Sequence, residues 1–436
     1  MPTLSDASTR RYSRRELAAW CLYDFGNSVF PAVVLSFVFA PYFTEQVAAN
    51  REQGSALWGY ATAASAFGIA IVSPFAGAFC DKGGRRKLWL AGFSLLAVIA
   101  TGLLWYVEPV GSAVFAALAL VAVANLGFEL AYVFYNAMLP TIVPRRMFGR
   151  ASGWGWSAGY FGSLASMGAV WLLFFDGGWL AGWLDRDAYE HVRASALFGA
   201  LWFVLFASVL FVVVPDTPAS GRAARAIVRE GLSEVVASLR LLRRLPSIAW
   251  YLVAHMVYID GLNTLFVFGP IYAAGTLGMN ESQVLQFGIG IYVTAGVGSL
   301  AFSWLDDRIG GKRVLLLSLA AMVGLGSAAL LVDEPKSFMG LALGLGLFMG
   351  PVQAASRSLM ARLAPEHLRN QMFGLYALAG RATAPLGPFL VGLVIALSAS
   401  QRAGMALFVV FLALGAVLLL PVREPRGDAG AEATAP

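Results

Sequence analysis

The chain has 436 residues, of which 58% are hydrophobic and 13% are charged, and its mean hydropathy is +0.70. Soluble domains are about half apolar and about a quarter charged, so this composition excludes an ordinary soluble domain and predicts an integral membrane protein. The net charge of +6 does not indicate nucleic-acid binding, because the basic residues fall in short loops at helix ends. The two cysteines, Cys21 and Cys80, lie far apart in the sequence and indicate neither a disulfide framework nor a metal site.

Twelve apolar segments are long enough to cross a bilayer as helices, and they do not alternate as the strands of a barrel would. We therefore predict an all-α integral membrane protein with twelve transmembrane helices in two homologous six-helix bundles, at 1–215 and 247–421. The predicted helices lie at 18–43, 57–80, 88–107, 112–139, 153–175, 194–215, 247–275, 284–305, 313–332, 337–361, 371–398 and 403–421.

Lysine and arginine are distributed unequally between the two sides of this arrangement. The side that holds both termini has 24 of them, and the opposite loops have 5. Because basic loops stay in the cytoplasm, we predict a protein of the cell (inner) membrane with both termini cytoplasmic. The first apolar segment contains Asp24 and is longer than the core of a signal peptide, so we expect it to be an uncleaved helix.

The segment that joins the two halves, 216–246, begins Pro-Asp-Thr-Pro and then interleaves apolar residues with arginines at helical spacing. This pattern predicts an amphipathic helix lying on the cytoplasmic surface of the bilayer. The chain beyond the last apolar segment, 422–436, is predicted to be a disordered tail.

Two motifs recur with nearly the same offset. The pattern Asp-x-x-Gly-x-[Arg/Lys]-[Arg/Lys] starts at Asp81 and again at Asp307, 226 residues later. A proline followed at a fixed distance by Met-Phe-Gly occurs at Pro140 and again at Pro365, 225 residues later. Because both pairs have nearly one offset, the chain is predicted to consist of two homologous halves, a common plan among transporters.

The first copy, Gly-x-x-x-Asp-x-x-Gly-Arg-Arg-Lys, lies between the second and third predicted helices and resembles the signature loop of the major facilitator superfamily. The weaker second copy lies where the second half of that superfamily would have it. The resemblance implies the major facilitator fold and a cytoplasmic gate that holds helix ends together in the outward-facing state. The residues that it assigns to this gate are Gly77, Asp81, Gly84, Arg85, Arg86, Asp307, Gly310 and Lys312. The alternative is a basic loop that only sets the topology and turns at a glycine.

A narrower resemblance extends over both halves. The segment 23–28, Tyr-Asp-Phe-Gly-Asn-Ser, is similar to the Tyr-Asp-[Phe/Trp]-Ala-Asn-Ser of the autophagy-related vacuole effluxer-like branch of the superfamily. The segments 350–358 and 373–383 resemble the Gly-x-x-Gln-Ala-x-Ser-Arg-Ser and Phe-Gly-Leu-Tyr-Ala-Leu-x-Gly-[Lys/Arg]-Ala-Thr of that branch. The branch includes amino-acid effluxers and bacterial relatives, so the resemblance implies a transporter and suggests amino acids as substrates.

Five charged residues fall inside predicted helices, where charge is costly and usually functional. Three are carboxyl groups and candidates for proton coupling: Asp24, Glu129 and Asp260. The arginines join a set of polar residues that share helix faces with the acids. These candidate substrate-binding or cavity residues are Asn27, Asn125, Tyr132, Asn136, Asn263, Gln353, Arg357 and Arg381.

Alternatives remain open for these charges. Arg357 lies four residues after Gln353 on one helix face, where a guanidinium can bind a carboxylate or phosphate through two parallel hydrogen bonds. It can equally form an internal salt bridge with one of the three carboxylates. Arg381 has the same alternatives or reaches the cytoplasmic surface. Asp24 can be an ordinary charge at a helix end, Glu129 a structural partner of an arginine, and His255 is more typical of a packing residue.

These observations favour a secondary active transporter that works by alternating access, with proton-coupled efflux or uptake of an amino acid or a small organic anion. A transporter or flippase of a lysophospholipid or a drug-like amphiphile is the alternative. The sequence has no Gly-x-x-x-x-Gly-Lys-[Ser/Thr] loop for ATP and only 3 histidines, widely spaced, so an integral membrane enzyme is a remote alternative. We expect no cofactor and no metal, a monomer, and a small-molecule substrate, protons and the lipid bilayer as partners.

Overall fold

The computed structural model describes residues 13–175, 177–218, 220, 242–384, 386–398 and 400–425, and these residues form helices joined by short loops, with no β-strand among them. The helices are α1 (Arg14–Asn27), α2 (Arg51–Gly83), α3 (Arg86–Leu103), α4 (Val114–Ile142), α5 (Phe148–Phe174), α6 (Glu190–Val213), α7 (Pro246–Gly275), α8 (Glu281–Ile309), α9 (Gly311–Ala329), α10 (Pro335–Leu363), α11 (Arg369–Ala382), α12 (Leu386–Ser398) and α13 (Gln401–Leu419).

Eleven spans among the described residues are long and apolar enough to cross a membrane. The eleventh of the twelve predicted helices is too short to be among them, because it is divided into α11 and α12. With that divided helix the count is consistent with twelve, and the all-helical architecture confirms the predicted fold class.

The first span is longer and less regular than the predicted helix at 18–43. It extends from Arg14 to Val47, and α1 continues into two π-helical stretches, Phe30–Phe37 and Phe43–Val47. Pro31 lies at the start of the first stretch and has no N–H group to donate, which favours a wider turn there. Hydropathy shows neither feature, because it reports the polarity of side chains and not the geometry of the backbone.

The predicted continuous helix at 371–398 is wrong in this respect, because the structure interrupts it after Ala382. The N–H of Leu386 donates to the carbonyl of Thr383 at 2.7 Å, which closes a tight turn. Residue 385 is a proline in the sequence, and proline disfavours helical geometry at the residue before it. The apolar run on both sides of the turn conceals this break from a hydropathy profile.

The connecting segments fall partly outside the described residues. Most of the predicted amphipathic linker, 221–241, lies there, as does 426–436 of the predicted tail. The start of each segment is in contact with the bundle: Asp216 binds the N-terminus of α3, and Glu424 binds that of α9.

The two halves pack closely at the end where α2 joins α3 and α8 joins α9, which we call the basic face. Here α2 lies against α11, and a Cβ atom added at Gly77 would overlap the backbone carbonyl of Asn370. Gly374 has the reciprocal relation to the backbone of Ser73, whose hydroxyl donates to the Gly374 carbonyl at 3.0 Å. Glycine on each helix therefore permits backbone contact between the halves at this face.

Candidate substrate site and gate

The first contact between the halves at the basic face is made by Asp81 of α2. Its carboxylate accepts hydrogen bonds from the backbone N–H groups of Asn370 and Gln371, at 3.2 and 2.8 Å, and from the Asn370 side chain. These groups belong to the first turn of α11, where N–H groups lack intrahelical partners and the helix dipole favours a negative charge. Asp81 thus caps a helix of the opposite half.

The second contact is the counterpart of the first in the repeat. Asp307 of α8 accepts hydrogen bonds from the N–H of Gly149 at 2.8 Å and from Nε of Arg150 at 2.5 Å, both in the first turn of α5. Each half therefore contributes one aspartate that caps a helix of the other half. The predicted gate residues Asp81 and Asp307 lie at the basic face together.

A neighbouring ionic cluster was not predicted. Arg362 binds Asp306 at 2.5 Å and Glu424 at 3.0 Å, and it lies 3.7 Å from Asp307. The two consecutive aspartates could have indicated such a cluster. Arg362 gave no such signal, since it was counted among the loop charges, and Glu424 lies in the predicted tail.

The remaining gate residues shape the two helix junctions. Gly84 and Gly310 end α2 and α8 with φ angles of 72° and 94°, which a residue with a side chain rarely adopts. Arg86 is buried within electrostatic reach of Asp81 and Asp216, whereas the Arg85 side chain is exposed.

Lys312 belongs to the junction in the second half. Its backbone N–H donates to Glu424 at 2.9 Å and its ammonium to the carbonyl of Leu420 at 2.6 Å. The lysine thus fastens the start of α9 to the end of α13.

A buried ion pair lies farther from the basic face than the gate contacts. Nη1 of Arg357 is 3.1 Å from Oδ2 of Asp24, and their side chains are 1% and 6% exposed. The guanidinium also donates to the hydroxyl and carbonyl oxygens of Ser152 at 2.9 and 2.7 Å and to Asn136 at 3.2 Å. Asp24 accepts further bonds from the hydroxyl of Tyr135 at 2.9 Å.

Aromatic rings enclose this pair. The Arg357 guanidinium lies 4.7 Å from the ring centroid of Trp20 and 5.5 Å from that of Trp156, as in cation–π contacts. Tyr132 donates to Asp24 at 3.0 Å and accepts from Arg357 at 3.3 Å. The pair thus has its hydrogen-bonding capacity met by the protein and joins α1, α4 and α5 of one half to α10 of the other.

Two chambers with mostly apolar walls and a few charged and amide side chains lie beyond the buried pair as seen from the basic face, with volumes of about 220 and 180 Å³. Glu129, Tyr132, Trp156 and Gln353 line both of them. The predicted cavity residues divide between the chambers: the first is also lined by Asp24, Asn27 and Asn125, and the second by Asn136, Asn263, Arg357 and Arg381.

A second ion pair, between Glu129 of α4 and Arg381 of α11, lies at the wall of the second chamber. Their side chains are 27% and 34% exposed, in contrast to the buried pair. The two side chains come from opposite halves and face the same space. A solute that enters the chambers can therefore reach both charges.

The other predicted residues are placed as follows. Asn125 donates to Ser65 at 2.7 Å, and Gln353 accepts from Tyr160 at 2.5 Å. Oδ1 of Asn27 and Oδ1 of Asp260 are buried and have no hydrogen-bond partner among the described residues. Asp260 is not among the residues that line either chamber.

His255 lies against the Tyr376 ring at 4.2 Å and forms a 2.9 Å hydrogen bond with Tyr258. The described residues contain no group of His, Cys, Asp and Glu arranged to hold a metal ion. The walls of the two chambers carry carboxylates, guanidinium groups, amides, aromatic rings and the imidazole of His255.

The polar contacts between the halves form three levels. Asp81 and Asp307 lie at the basic face, and Arg357 lies six residues before the end of α10 at that face, roughly 9 Å deep at 1.5 Å per residue. Glu129 lies thirteen residues before the end of α4 at the same face, roughly 20 Å deep. Because α4 has 29 residues, Glu129 lies near the middle of this membrane-spanning helix, and the exposed pair therefore lies near mid-bilayer depth.

Comparison with known proteins agrees with this architecture. A protein-family profile described as "Vacuole effluxer Atg22 like" matches residues 51–432. The uncharacterized MFS-type transporter YxiO of Bacillus subtilis is 26% identical over 423 residues, which cover 95% of this chain and 96% of YxiO.

Autophagy-related protein 22-1 of Phaeosphaeria nodorum is 23% identical and covers 99% of this chain and 94% of its own. The cis,cis-muconate transport protein of Acinetobacter baylyi is 22% identical over 74% of this chain and 75% of its own. The major facilitator superfamily proton:xylose symporter XylE has a similar structure, with a TM-score of 0.71 at 16% identity over 94% of this chain and 95% of XylE. At that identity the structural likeness shows the fold alone.

Proposed function

Because the chain belongs to the Atg22-like vacuole effluxer family and is a multi-pass membrane transporter of the major facilitator superfamily, we propose that it is a secondary active transporter working by alternating access. The observation on which this proposal rests is the arrangement of polar contacts between the halves. They close the basic face and leave an exposed ion pair in chambers near mid-bilayer depth. Substrate sites of such transporters lie at the interface of the repeats near the bilayer midplane.

Arg381 is the proposed binding group for a substrate carboxylate. Its guanidinium is one-third exposed and belongs to the second chamber, so a solute can approach it. A planar guanidinium matches a carboxylate with two parallel hydrogen bonds. Arg357 is less suited to this role, because its donors already bind Asp24, Ser152 and other protein groups.

The ion pair between Glu129 and Arg381 must break before Arg381 can bind a substrate carboxylate. Two classes of substrate would compensate Glu129 for this loss in different ways. The ammonium group of an amino acid can bind Glu129 while its carboxylate binds Arg381, so both charges remain paired. A small organic anion has no ammonium group, so Glu129 must be neutralised by a proton instead. In the second case, substrate and proton bind together.

The charge balance of the chambers favours the amino acid over a multiply charged anion. Asp24 and Glu129 balance Arg357 and Arg381 among the described charged groups that line the chambers. A neutral zwitterion adds no net charge to the chambers, whereas a dianion requires two protons or leaves two carboxylates without a counter-charge.

The buried pair has a different proposed role. Asp24 and Arg357 hold the halves together on the side of the chambers nearer the basic face, so they must separate when that face opens. A proton on Asp24 would weaken the pair and assist opening, which would link proton movement to the conformational change. Asp260 lines neither chamber and is a weaker proton-coupling candidate.

The remaining proposals concern setting and assembly. We propose an inner-membrane location with the basic face and both termini in the cytoplasm, two six-helix bundles at 1–215 and 247–421, and a monomer. With the basic face closed, this orientation makes the structure that of a transporter closed to the cytoplasm.

A specific observation favours the second candidate substrate, a lysophospholipid or drug-like amphiphile. An apolar cavity of about 370 Å³ adjoins the first chamber at Tyr292, which lines both. Its other walls include Phe37, Leu164 and Met279, so it could hold a hydrocarbon tail beside the chambers.

The experiment uses purified protein in liposomes and a panel of labelled amino acids, their deamino monocarboxylate analogues and a lysophospholipid. We expect an amino acid to be accumulated when a pH gradient is imposed, and Arg381→Gln to abolish this. The matched control is Arg402→Gln, which removes an arginine of similar exposure that is paired with Asp333 outside the chambers. Accumulation of the lysophospholipid alone, unaffected by Arg381→Gln, would instead support the amphiphile, and no gradient-driven movement of any solute would refute secondary transport.

A further inference from the structure

A groove at the basic face lies outside the chambers and borders the gate contact between Arg150 and Asp307. It is formed between α1 and the start of α5 and has a volume of about 800 Å³. Three arginines lie at its walls: Arg14 at the first residue of α1, Arg146 in the loop before α5, and Arg150 in the first turn of α5.

The arginines give the groove a positive charge that the described protein does not neutralise. Arg14 and Arg146 are exposed and form no ion pair with another described residue. Arg150 is 32% exposed and pairs with Asp307 through Nε, and its terminal nitrogens form no hydrogen bond with another described residue. Guanidinium groups that converge on one space are well suited to the oxygens of a phosphate group.

The rest of the groove is apolar, which identifies the kind of phosphate that would bind there. Leu17 and Ala18 of α1 and Trp154 of α5 form its walls below the arginines. Trp154 contacts Trp304 of α8 at a ring distance of 6.1 Å, and Trp304 is 42% exposed, so apolar surface continues from the groove along the outside of the bundle. Tryptophans at this level are typical of the boundary between headgroups and acyl chains.

We propose that this groove binds the headgroup of an anionic phospholipid, with the phosphate among Arg14, Arg146 and Arg150 and an acyl chain along Trp154. A free phosphate would gain the arginine contacts only. A lipid also covers the apolar wall, and its supply from the adjacent leaflet requires no extra site.

The proposed lipid site is coupled to the gate through Arg150. Asp307 comes from the other half, and its carboxylate competes with the lipid phosphate for the same guanidinium. When the basic face opens, Asp307 leaves Arg150 and the groove becomes more positive. Anionic lipid is therefore expected to favour the open basic face, since a ligand shifts an equilibrium toward the state that it binds more tightly.

The test measures binding of phosphatidylglycerol to delipidated full-length protein, with phosphatidylcholine of the same acyl chains and inorganic phosphate as the other probes. Each arginine near an anionic headgroup contributes about fivefold in affinity, so we expect Arg14→Gln/Arg146→Gln to weaken phosphatidylglycerol binding about 20- to 30-fold. The matched control, Arg15→Gln/Arg308→Gln, removes two exposed arginines that are not at the groove walls. It should change binding less than threefold.

Equal losses in the two double variants would overturn the proposal, because they would mean that only net charge matters. Inorganic phosphate that binds as tightly as phosphatidylglycerol and depends on the same arginines would overturn the lipid assignment. Asp307→Asn removes the competing carboxylate and should raise phosphatidylglycerol affinity about threefold or more. An unchanged or lower affinity in this variant would refute the coupling to the gate.

Discussion

The two ion pairs that join the halves both border the chambers, but they differ in one decisive respect, the exposure of their charged side chains. Asp24 and Arg357 are 6% and 1% exposed and are satisfied by tyrosines, serine and asparagine of the protein itself. Glu129 and Arg381 are 27% and 34% exposed and line the second chamber. A buried pair is costly to break by removing one partner, whereas an exposed pair contributes little to stability and can exchange partners. A carboxylate–arginine pair can thus stabilise the closed conformation where it is buried and bind a solute where it is exposed.

The largest effect should follow from Arg357→Ala. The substitution leaves Asp24 buried without its counter-charge, and we expect a loss of about 3–5 kcal/mol in the free energy of unfolding. Thermal or chemical unfolding in detergent measures it. Asp24→Asn/Arg357→Gln leaves no unpaired charge and should recover much of the loss. An Arg357→Ala protein as stable as wild type would place this arginine in the same class as Arg381.

The next effect concerns the closed face that covers the buried pair. Gly77→Val introduces side-chain atoms that overlap the Asn370 carbonyl, and overpacking of this kind costs about 1–3 kcal/mol. Because the face can open to relieve it, we expect a shift toward the open state and not unfolding. Labelling of a cysteine placed at Gln371 should become faster. Gly92→Val is the control, since a Cβ there meets nothing within 4 Å, and equal labelling in both variants would contradict the role of Gly77.

A smaller shift in the same direction is expected from Asp81→Asn. The carboxylate charge stabilises the N-terminus of α11 by about 1 kcal/mol, and the neutral amide cannot provide this interaction. The labelling assay should show a smaller increase than for Gly77→Val, with normal expression. No change in accessibility would mean that the glycine contact alone closes the face.

Arg381→Gln should have the smallest effect on stability and a large one on binding. Exposed ion pairs contribute about 0–1 kcal/mol, so the melting temperature should stay close to that of wild type. Substrate affinity should fall at least tenfold, because the carboxylate loses its guanidinium. Equilibrium binding and melting temperature on one preparation test both parts, and an equal loss of stability and affinity would indicate a structural pair.

Hydropathy and the internal repeat were sufficient to predict the fold, because each helix exposes an apolar surface that composition alone reveals. They missed the break after Ala382 and the π-helical stretches that begin at Phe30 and Phe43, since local backbone geometry leaves hydropathy unchanged. The sequence also indicated which residues are charged at bilayer depth, but not their partners. Arg357 and Asp24 are 333 residues apart, and the packing of α5 against both α1 and α10 brings them together.

The contact partners of the gate residues were also not predictable from the sequence. The repeat identified Asp81 and Asp307, yet their partners are largely backbone N–H groups of Asn370, Gln371 and Gly149, which have no sequence signature. Arg362 and Glu424 were overlooked because single charges near helix ends are common.

The central claim, that the two pairs differ in whether substrate displaces them, is tested most directly by the coupling energy of each pair with and without a bound amino acid. Double-mutant cycles built from Asp24→Asn with Arg357→Gln and from Glu129→Gln with Arg381→Gln give these energies from unfolding measurements. The amino acid used is the one that raises the melting temperature of the wild-type protein most. We predict that the coupling of Asp24 and Arg357 is large and unchanged by the amino acid, whereas that of Glu129 and Arg381 is small and falls toward zero. A Glu129–Arg381 coupling that persists in the presence of the amino acid, or an Asp24–Arg357 coupling that disappears, would contradict this account.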